Sequence, residues 1–289
     1  MALLRLRRPE NVTGDFFVDS SCIDCDLCRQ IAPAVFVQAG DQAAVQSQPA
    51  DAKTEFEALK ALVTCPTASI GTLKHSPMKQ AVDAFPEPIE KDVYFCGFAA
   101  ESSFGASSYL IVRSNGNVLV DSPRFAKPLV RRIEALGGVH SIFLTHRDDV
   151  ADQALWAKHF HSKTIMHRDD AGRLSGAIDE LVTGNDPVAL SEDLQIIPTP
   201  GHTRGHMVLL YRNRFLFTGD HLWWSPNFNS LHASRGVCWY SWAEQIASVK
   251  KLQNFSFEWV LPGHGRRVNA PAAIMQEYLA ECVRRIDRN

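Results

Sequence analysis

Pro198-Thr199-Pro200-Gly201-His202-Thr203-Arg204-Gly205-His206, with Phe217-Thr218-Gly219-Asp220 close behind, is the stretch around which this chain is organised. The run Leu194-Gln195-Ile196-Ile197 reads as a strand that enters a Pro/Gly turn and delivers His202. A second apolar run, Met207 to Tyr211, leads away, and a third, Arg214 to Phe217, stops at Gly219-Asp220. Strand ends closed by turns thus present an imidazole and a carboxylate, the usual way of hanging metal ligands on a rigid sheet. Two further apolar runs end on histidine, Ile142-Phe143-Leu144-Thr145-His146 and Val260-Leu261-Pro262-Gly263-His264. Single turn histidines are common and mostly solvated. Three that close strands, with a Gly-Asp on a fourth, point to a metal site.

Composition sets the bounds. The chain has 289 residues, 45% hydrophobic and 21% charged, which is room for two domains with an ordinary core. A formal net charge of −2 argues against nucleic-acid binding or a polybasic membrane surface. No apolar run approaches the roughly 20 residues of a membrane span. The basic start, Met1 to Arg8, lacks the apolar core of a signal peptide, so the Asn11-Val12-Thr13 sequon reads as silent. Seven cysteines, three of them within seven residues, read as metal binding in a reducing compartment, the cytoplasm or a plastid-type one.

Those three are Cys22-Ile23-Asp24-Cys25-Asp26-Leu27-Cys28, and a fourth, Cys65, precedes Pro66. Thiolates at this spacing wrap an iron–sulfur cluster. C-x2-C is also a zinc-finger element, but the third close cysteine and the distant Cys-Pro favour iron–sulfur. Asp24 and Asp26 are expected to lower the cluster potential by their charge. Asp15 to Asp19 reads as a strand, Gln42 to Gln46 as a hairpin strand, and Asp51 to Leu62 as an amphipathic helix that returns the chain to the cluster. Cys96, Cys238 and Cys282 read as ordinary buried thiols. The segment from 12 to 74 resembles bacterial ferredoxins with a single [4Fe–4S] cluster, which implies Cys22, Cys25, Cys28 and Cys65 as its ligands.

Residues 75–92 hold three prolines and little periodicity and read as a linker. Tyr94 to Phe98, Ser108 to Arg113 and Val118 to Val120 follow as strands. Lys127 to Leu136 reads as a helix ended by Gly137-Gly138, and Pro271 to Ile286 as another. From about residue 90 onward, Pro200-Gly201-His202-Thr203, Thr218-Gly219-Asp220 and Pro262-Gly263-His264, in that order, resemble the metallo-β-lactamase superfamily, especially its glyoxalase II and lactonase-like branch. Asp121 by itself reads as a turn or helix-cap residue; the resemblance implies a support for the metal loops instead. The resemblance implies an α+β protein: a ferredoxin-like domain at 1–76, a linker at 77–91, and an αββα sandwich at 92–289.

The family pattern Thr-His-x-His-x-Asp-His is damaged here, where the chain has Thr145-His146-Arg147-Asp148-Asp149-Val150-Ala151. Asp148 stands for the second histidine, and Val150 and Ala151 replace the pair that would serve a second metal. The resemblance therefore implies His146, Asp148, His202, Asp220 and His264 as ligands of one zinc or iron ion, with a second weakly held or absent. Asp148, Asp149 or Asp152 is the candidate base. His206 reads as a support residue, and His221 as a pocket or surface residue. His167-Arg168-Asp169-Asp170 reads as a chance repeat of the letters at 146–149. The aromatic stretch from His221 to Tyr240 reads as a pocket wall or as packing against the first domain. Three functions follow: a hydrolase of a small ester, thioester or lactone; an oxidoreductase whose cluster, served by a redox partner, feeds an iron site; or a non-catalytic electron-transfer or binding protein.

Overall fold

The computed structural model describes residues 2–74 and 77–288, and the chain divides into two compact units. Met1–Val118 with Pro123–Val139 form the first, and Leu119–Ser122 with His140–Asn289 the second.

In the first unit, β1 (Phe16–Val18) pairs antiparallel with a later strand, and α1 (Leu27–Ile31) begins at Asp26 inside the cysteine run. The hairpin β2 (Phe36–Ala39) and β3 (Gln42–Val45) follows. α2 (Ala52–Thr64) is started by a capping box between Asp51 and Thr54 and stops at Cys65, because Pro66 forces the preceding residue out of helical geometry. β4 (Ile70–Thr72) returns to β1, with Phe16 opposite Thr72. Asn11 is buried. Its Nδ2 donates to the Arg8 and Val18 carbonyls, and its Oδ1 accepts from the amides of Val18 and Val45, so this sequon residue ties β1 to β3.

Residues 77–91, expected as a linker, are not without structure. They carry α3 (Lys79–Asp83) and β5 (Glu87–Glu90), which pairs antiparallel with β6 (Val93–Phe95). Pro88 fits because β5 is an edge strand, where a missing N–H costs no ladder bond. Lys60 Nζ reaches Glu87 at 2.7 Å and holds α2 to this strand. His75 and Ser76, at the start of the expected linker, lie outside the described residues. β7 (Tyr109–Ile111) continues the meander, and α4 (Lys127–Ala135) ends where the amides of Gly137 and Gly138 donate to the Glu134 and Ile133 carbonyls.

The second unit carries a small two-stranded sheet and contributes to two large ones. One has β8 (Val118–Val120) and β9 (Ser141–Phe143), followed by α5 (Gln153–Phe160), β10 (Lys163–His167), the single turn α6 (Arg168–Ala171) and β11 (Glu180–Val182). β9, β10 and β11 run parallel. The other sheet begins with β12 (Val188–Ser191), β13 (Leu194–Pro198), β14 (Met207–Tyr211) and β15 (Phe215–Gly219), all antiparallel. After the small hairpin β16 (Trp223–Ser225) and β17 (Ser230–His232) comes α7 (Trp242–Leu252). Then β18 (Trp259–Pro262) joins β15 in parallel, and β19 (Val268–Asn269) and α8 (Ala272–Ile286) close the chain.

Every residue of β14 and β15 is buried, so this sheet is covered on both faces, as the near-continuous apolar runs require. One face packs Val208, Leu210, Leu216 and Val260 against Val249, Leu252, Met275 and Leu279 of α7 and α8. The Met207 amide donates to the Thr145 carbonyl at 2.8 Å and joins the turn after β9 to the start of β14. The sheets are thus locked together at the end where the histidines emerge.

Candidate metal centre

His146, His202, Asp220 and His264 all leave strand ends at this one edge. The Thr145 hydroxyl donates to the buried Asp121 carboxylate at 3.0 Å, and the Thr145 amide donates to the same group at 2.8 Å. Its one hydroxyl proton being used, Thr145 Oγ1 accepts from His146 Nδ1 at 2.9 Å. That fixes the His146 tautomer with a bare lone pair on Nε2. Asp121 is therefore the support for the metal loop. His202 Nδ1 donates to the Val237 carbonyl, which likewise frees its Nε2.

The two free nitrogens converge on two carboxylates. Asp148 Oδ2 lies 3.5 Å from His202 Nε2 and 3.9 Å from His146 Nε2, while Asp220 Oδ2 lies 3.8 Å from both. Tetrahedral ligands about 2.1 Å from a zinc-sized ion stand roughly 3.4 Å apart, so the spacing is close to that of one ion's shell. Both imidazole Nε2 atoms are buried without a hydrogen-bond partner, a costly state unless a ligand compensates it. His146, Asp148 and His202 form one possible ligand trio, and His146, Asp149 and Asp220 a second.

The electrostatics suit a cation. Burial pushes His146 down to about 4, so its ring is neutral and able to ligate near neutral pH. The neighbouring His202 ring and His146 hold the Asp148 carboxyl below the usual carboxylate range. Burial works against a charged Asp220, but the His264 ring at 2.8 Å and the other imidazoles hold it well below that range. Asp149 goes the other way: burial first, then the charge of Asp220, push it well up. Both Asp149 oxygens are buried and unpaired, beside Gly263, whose bare Cα makes room for them.

Two of the sequence candidates fall outside both trios. His264 bonds Asp220 through Nδ1 and stands outside both trios. Asp152 sits at the N-cap of α5 and belongs to neither trio. Val150 and Ala151 offer no ligand atom. His206 is a support residue as expected: it is buried, pairs through Nδ1 with Thr199 Oγ1 at 2.9 Å, and its ring lies 5.2 Å from that of His146. His221 is fully buried rather than exposed. Trp239 and Tyr240 are 62% and 49% exposed, with the Trp239 ring 6.0 Å from His202. Cys238 is only partly buried and donates to the Gly201 carbonyl.

One residue escaped the sequence reading. Asp170, set aside as part of a chance repeat, is buried and accepts from the Thr203 hydroxyl, the Gly205 amide at 2.7 Å and the Arg147 amide at 3.3 Å. It binds the His202 loop to the His146–Asp148 loop. Letters alone could not reveal it, because its partners are 23 to 35 residues away.

In the first unit, Cys22, Cys25, Cys28 and Cys65 line one cavity with Ile23 and Pro66, and all four are free thiols. The Ala43 amide donates to Cys22 Sγ at 3.4 Å, and Ser69 Oγ lies 3.3 Å from Cys65 Sγ. Burial pushes Cys25 up to about 12, a cost that iron coordination removes by taking the thiolate. Four convergent thiols with donors aimed at their sulfurs fit a [4Fe–4S] cluster. The buried Arg29 donates to both Asp24 and Asp26 at 2.5 Å, which partly offsets their expected effect on the potential.

These features agree with known proteins. A family model described as the 4Fe-4S single cluster domain of Ferredoxin I matches residues 18–72, and one described as the metallo-beta-lactamase superfamily matches residues 90–282. The hydroxyacylglutathione hydrolase of Rhodospirillum rubrum is 31% identical over 139 residues, covering 46% of this chain and 54% of the relative. That of Fuscovulum blasticum is 36% identical over 38% of this chain and 44% of the relative. The chain thus spans about half the length of the curated hydrolases it matches. The uncharacterized protein YmaE of Bacillus subtilis is 25% identical over 68% of this chain and 73% of its own. Among solved structures, a metallo-beta-lactamase from Pontibacter korlensis superposes with a TM-score of 0.54 over 70% of this chain and 98% of its own, at 15% identity, a likeness of fold alone. With a small ferredoxin-like domain at its N-terminal end and the second match running over most of its length, the chain belongs to the metallo-β-lactamase superfamily.

Proposed function

We propose that the second unit is a metal-dependent hydrolase of a small ester, thioester or lactone, with thioesters the first class to test. The observation that carries this reading is the convergence of His146 Nε2, His202 Nε2, Asp148 and Asp220, with both nitrogens buried and unpaired. The names of the hydroxyacylglutathione hydrolases it matches lend support for the thioester class. These four residues would hold one ion, zinc, iron or manganese, since two imidazoles and two carboxylates suit all three. The chemistry such an ion supplies when bound is polarisation of a carbonyl and acidification of a water.

The chain's own residues do the rest. Thr145 and Val237 aim the two imidazoles through their Nδ1 atoms. Asp149 is the carboxyl placed to hold a proton, at Oδ1 or Oδ2, since burial favours its neutral form. Asp148 is the more exposed carboxylate and takes the base role only where it does not ligate. Asp152, at the N-cap of α5, lies outside both trios. Trp239 and Tyr240 offer an aromatic wall to the acyl or leaving group.

The test is hydrolysis of hydroxyacyl-glutathione thioesters and simple aryl esters by the metal-loaded protein, with Asp220→Ala as the comparison. Turnover that Asp220→Ala abolishes supports the reading. A fully metal-loaded protein without turnover on either class would count against it. A second reading rests on the four cysteines that line one cavity: an oxidoreductase whose cluster exchanges electrons with an iron site in the second unit. Turnover that requires a reduced cluster would select it.

A further inference from the structure

The strands β6 and β7 are joined by a segment whose middle turns at Glu101–Ser103. Its geometry is fixed by short local bonds. The Phe104 amide donates to the Glu101 carbonyl at 3.0 Å, that of Gly105 to Ala100 at 2.9 Å, and that of Ala106 to Ser103 at 3.0 Å. The Ser103 hydroxyl donates to the Ala100 carbonyl at 3.2 Å. Ala100, Ser103 and Ala106 are buried, whereas Phe104 is 59% exposed. The segment lies within the lactamase match, yet its backbone rests against Cys25 and Pro66. A Cβ on Gly105 would stand 2.7 Å from Cys25 Cβ, 3.1 Å from Cys25 Sγ and 3.1 Å from Pro66 Cγ. Gly105 also has φ +83°, a conformation that other residues adopt only with strain.

We infer that the turn from Ala100 to Ala106 is a cover over the Cys25 side of the iron–sulfur site, and that Gly105 is its positioning residue. The bare Cα lets the backbone close onto Cys25 and onto Pro66, which follows the fourth ligand, Cys65. Any side chain there must lift the turn away from both, because the nearest atoms belong to a ligand and to a rigid ring rather than to a flexible side chain. Solvent exposure is one of the variables that set the potential of such a cluster, and burial keeps water and oxygen away. The cluster's surroundings are therefore completed by residues outside the ferredoxin match.

The experiment compares Gly105→Ala with Gly40→Ala in the full chain, purified without oxygen. Gly40 has φ +66° and open space around it, so Gly40→Ala introduces the same kind of backbone strain without meeting a neighbour. The readouts are the rate at which cluster absorbance bleaches in air and the midpoint potential, neither of which depends on any hydrolase activity. Gly105→Ala is expected to bleach about tenfold faster and to show a raised potential, because water stabilises the more negative reduced cluster. Gly40→Ala is expected to match the wild type in both. Equal behaviour of the two variants would overturn the inference. Should Gly105→Ala fail to fold, Ser103→Ala loosens the same turn without adding an atom. It is expected to move both readouts the same way by less, and wild-type values for it would overturn the inference instead.

Discussion

Asp170 touches no expected substrate or metal, yet it decides whether two ligand loops keep their distance. Its carboxylate takes donors from Thr203 and Gly205, just past His202, and from Arg147, between His146 and Asp148. Replacing it with alanine removes the acceptor for two backbone amides and a hydroxyl in a buried corner. Loss of such outer support typically weakens metal binding about 10- to 100-fold. Asp170→Ala is accordingly expected to bind zinc at least tenfold more weakly in a chelator competition, with circular dichroism unchanged. Wild-type affinity would mean the loops are held by their own turns. The contrast with Asp152 is instructive. Both are acidic residues close in sequence to a histidine, but Asp152 sits at the start of α5 whereas Asp170 bridges two distant loops.

At the scale of elements, the strands that carry ligands were legible because each combines a buried apolar run with a turn signal and a chemically active residue: Leu194 to His202, Phe215 to Asp220, Val260 to His264. The cysteine spacing was legible for the same reason, since covalent chemistry dictates it. Two kinds of feature were not. The short helix and edge strand within 77–91 are hidden by prolines that an edge strand tolerates. Contacts such as Asp170 to Gly205 depend on tertiary placement, which no local pattern encodes. α2 shows how a legible element serves the cluster: its capping box at Asp51 and Thr54 sets its start, and Pro66 sets its end at Cys65. Asp51→Ala removes the acceptor for the Thr54 amide at 2.8 Å and is expected to lower the denaturation midpoint. The check is chemical denaturation followed through the cluster absorbance. A midpoint equal to wild type would show that tertiary packing alone holds this helix.

For the whole molecule, the decisive fact is that the two ligand sets are chemically and topologically separate. The thiols of Cys22, Cys25, Cys28 and Cys65 belong to the first compact unit, and the imidazoles and carboxylates of His146, Asp148, His202 and Asp220 to the second. Soft thiolates suit an iron–sulfur cluster, whereas imidazoles and carboxylates suit divalent ions such as zinc, iron or manganese. A second ion is disfavoured at the second site, although His146, Asp149 and Asp220 form a second possible trio. Val150 and Ala151 supply no ligand atoms, His264 is engaged by Asp220, and Asp149 is pushed towards its neutral form. Anaerobically purified protein is therefore expected to hold about four iron and four sulfide together with one further metal ion. Brief treatment with a chelator that competes for zinc should remove that ion and leave the cluster absorbance intact. Its loss should lower the melting temperature, since an ion that binds only the folded chain stabilises it by mass action. Asp220→Ala should show the lower melting temperature from the start and no further shift with chelator. Two further equivalents of metal would show that Asp149 has given up its proton to ligate a second ion. Loss of cluster absorbance along with the first ion would show that the two sites are coupled despite their separate ligands.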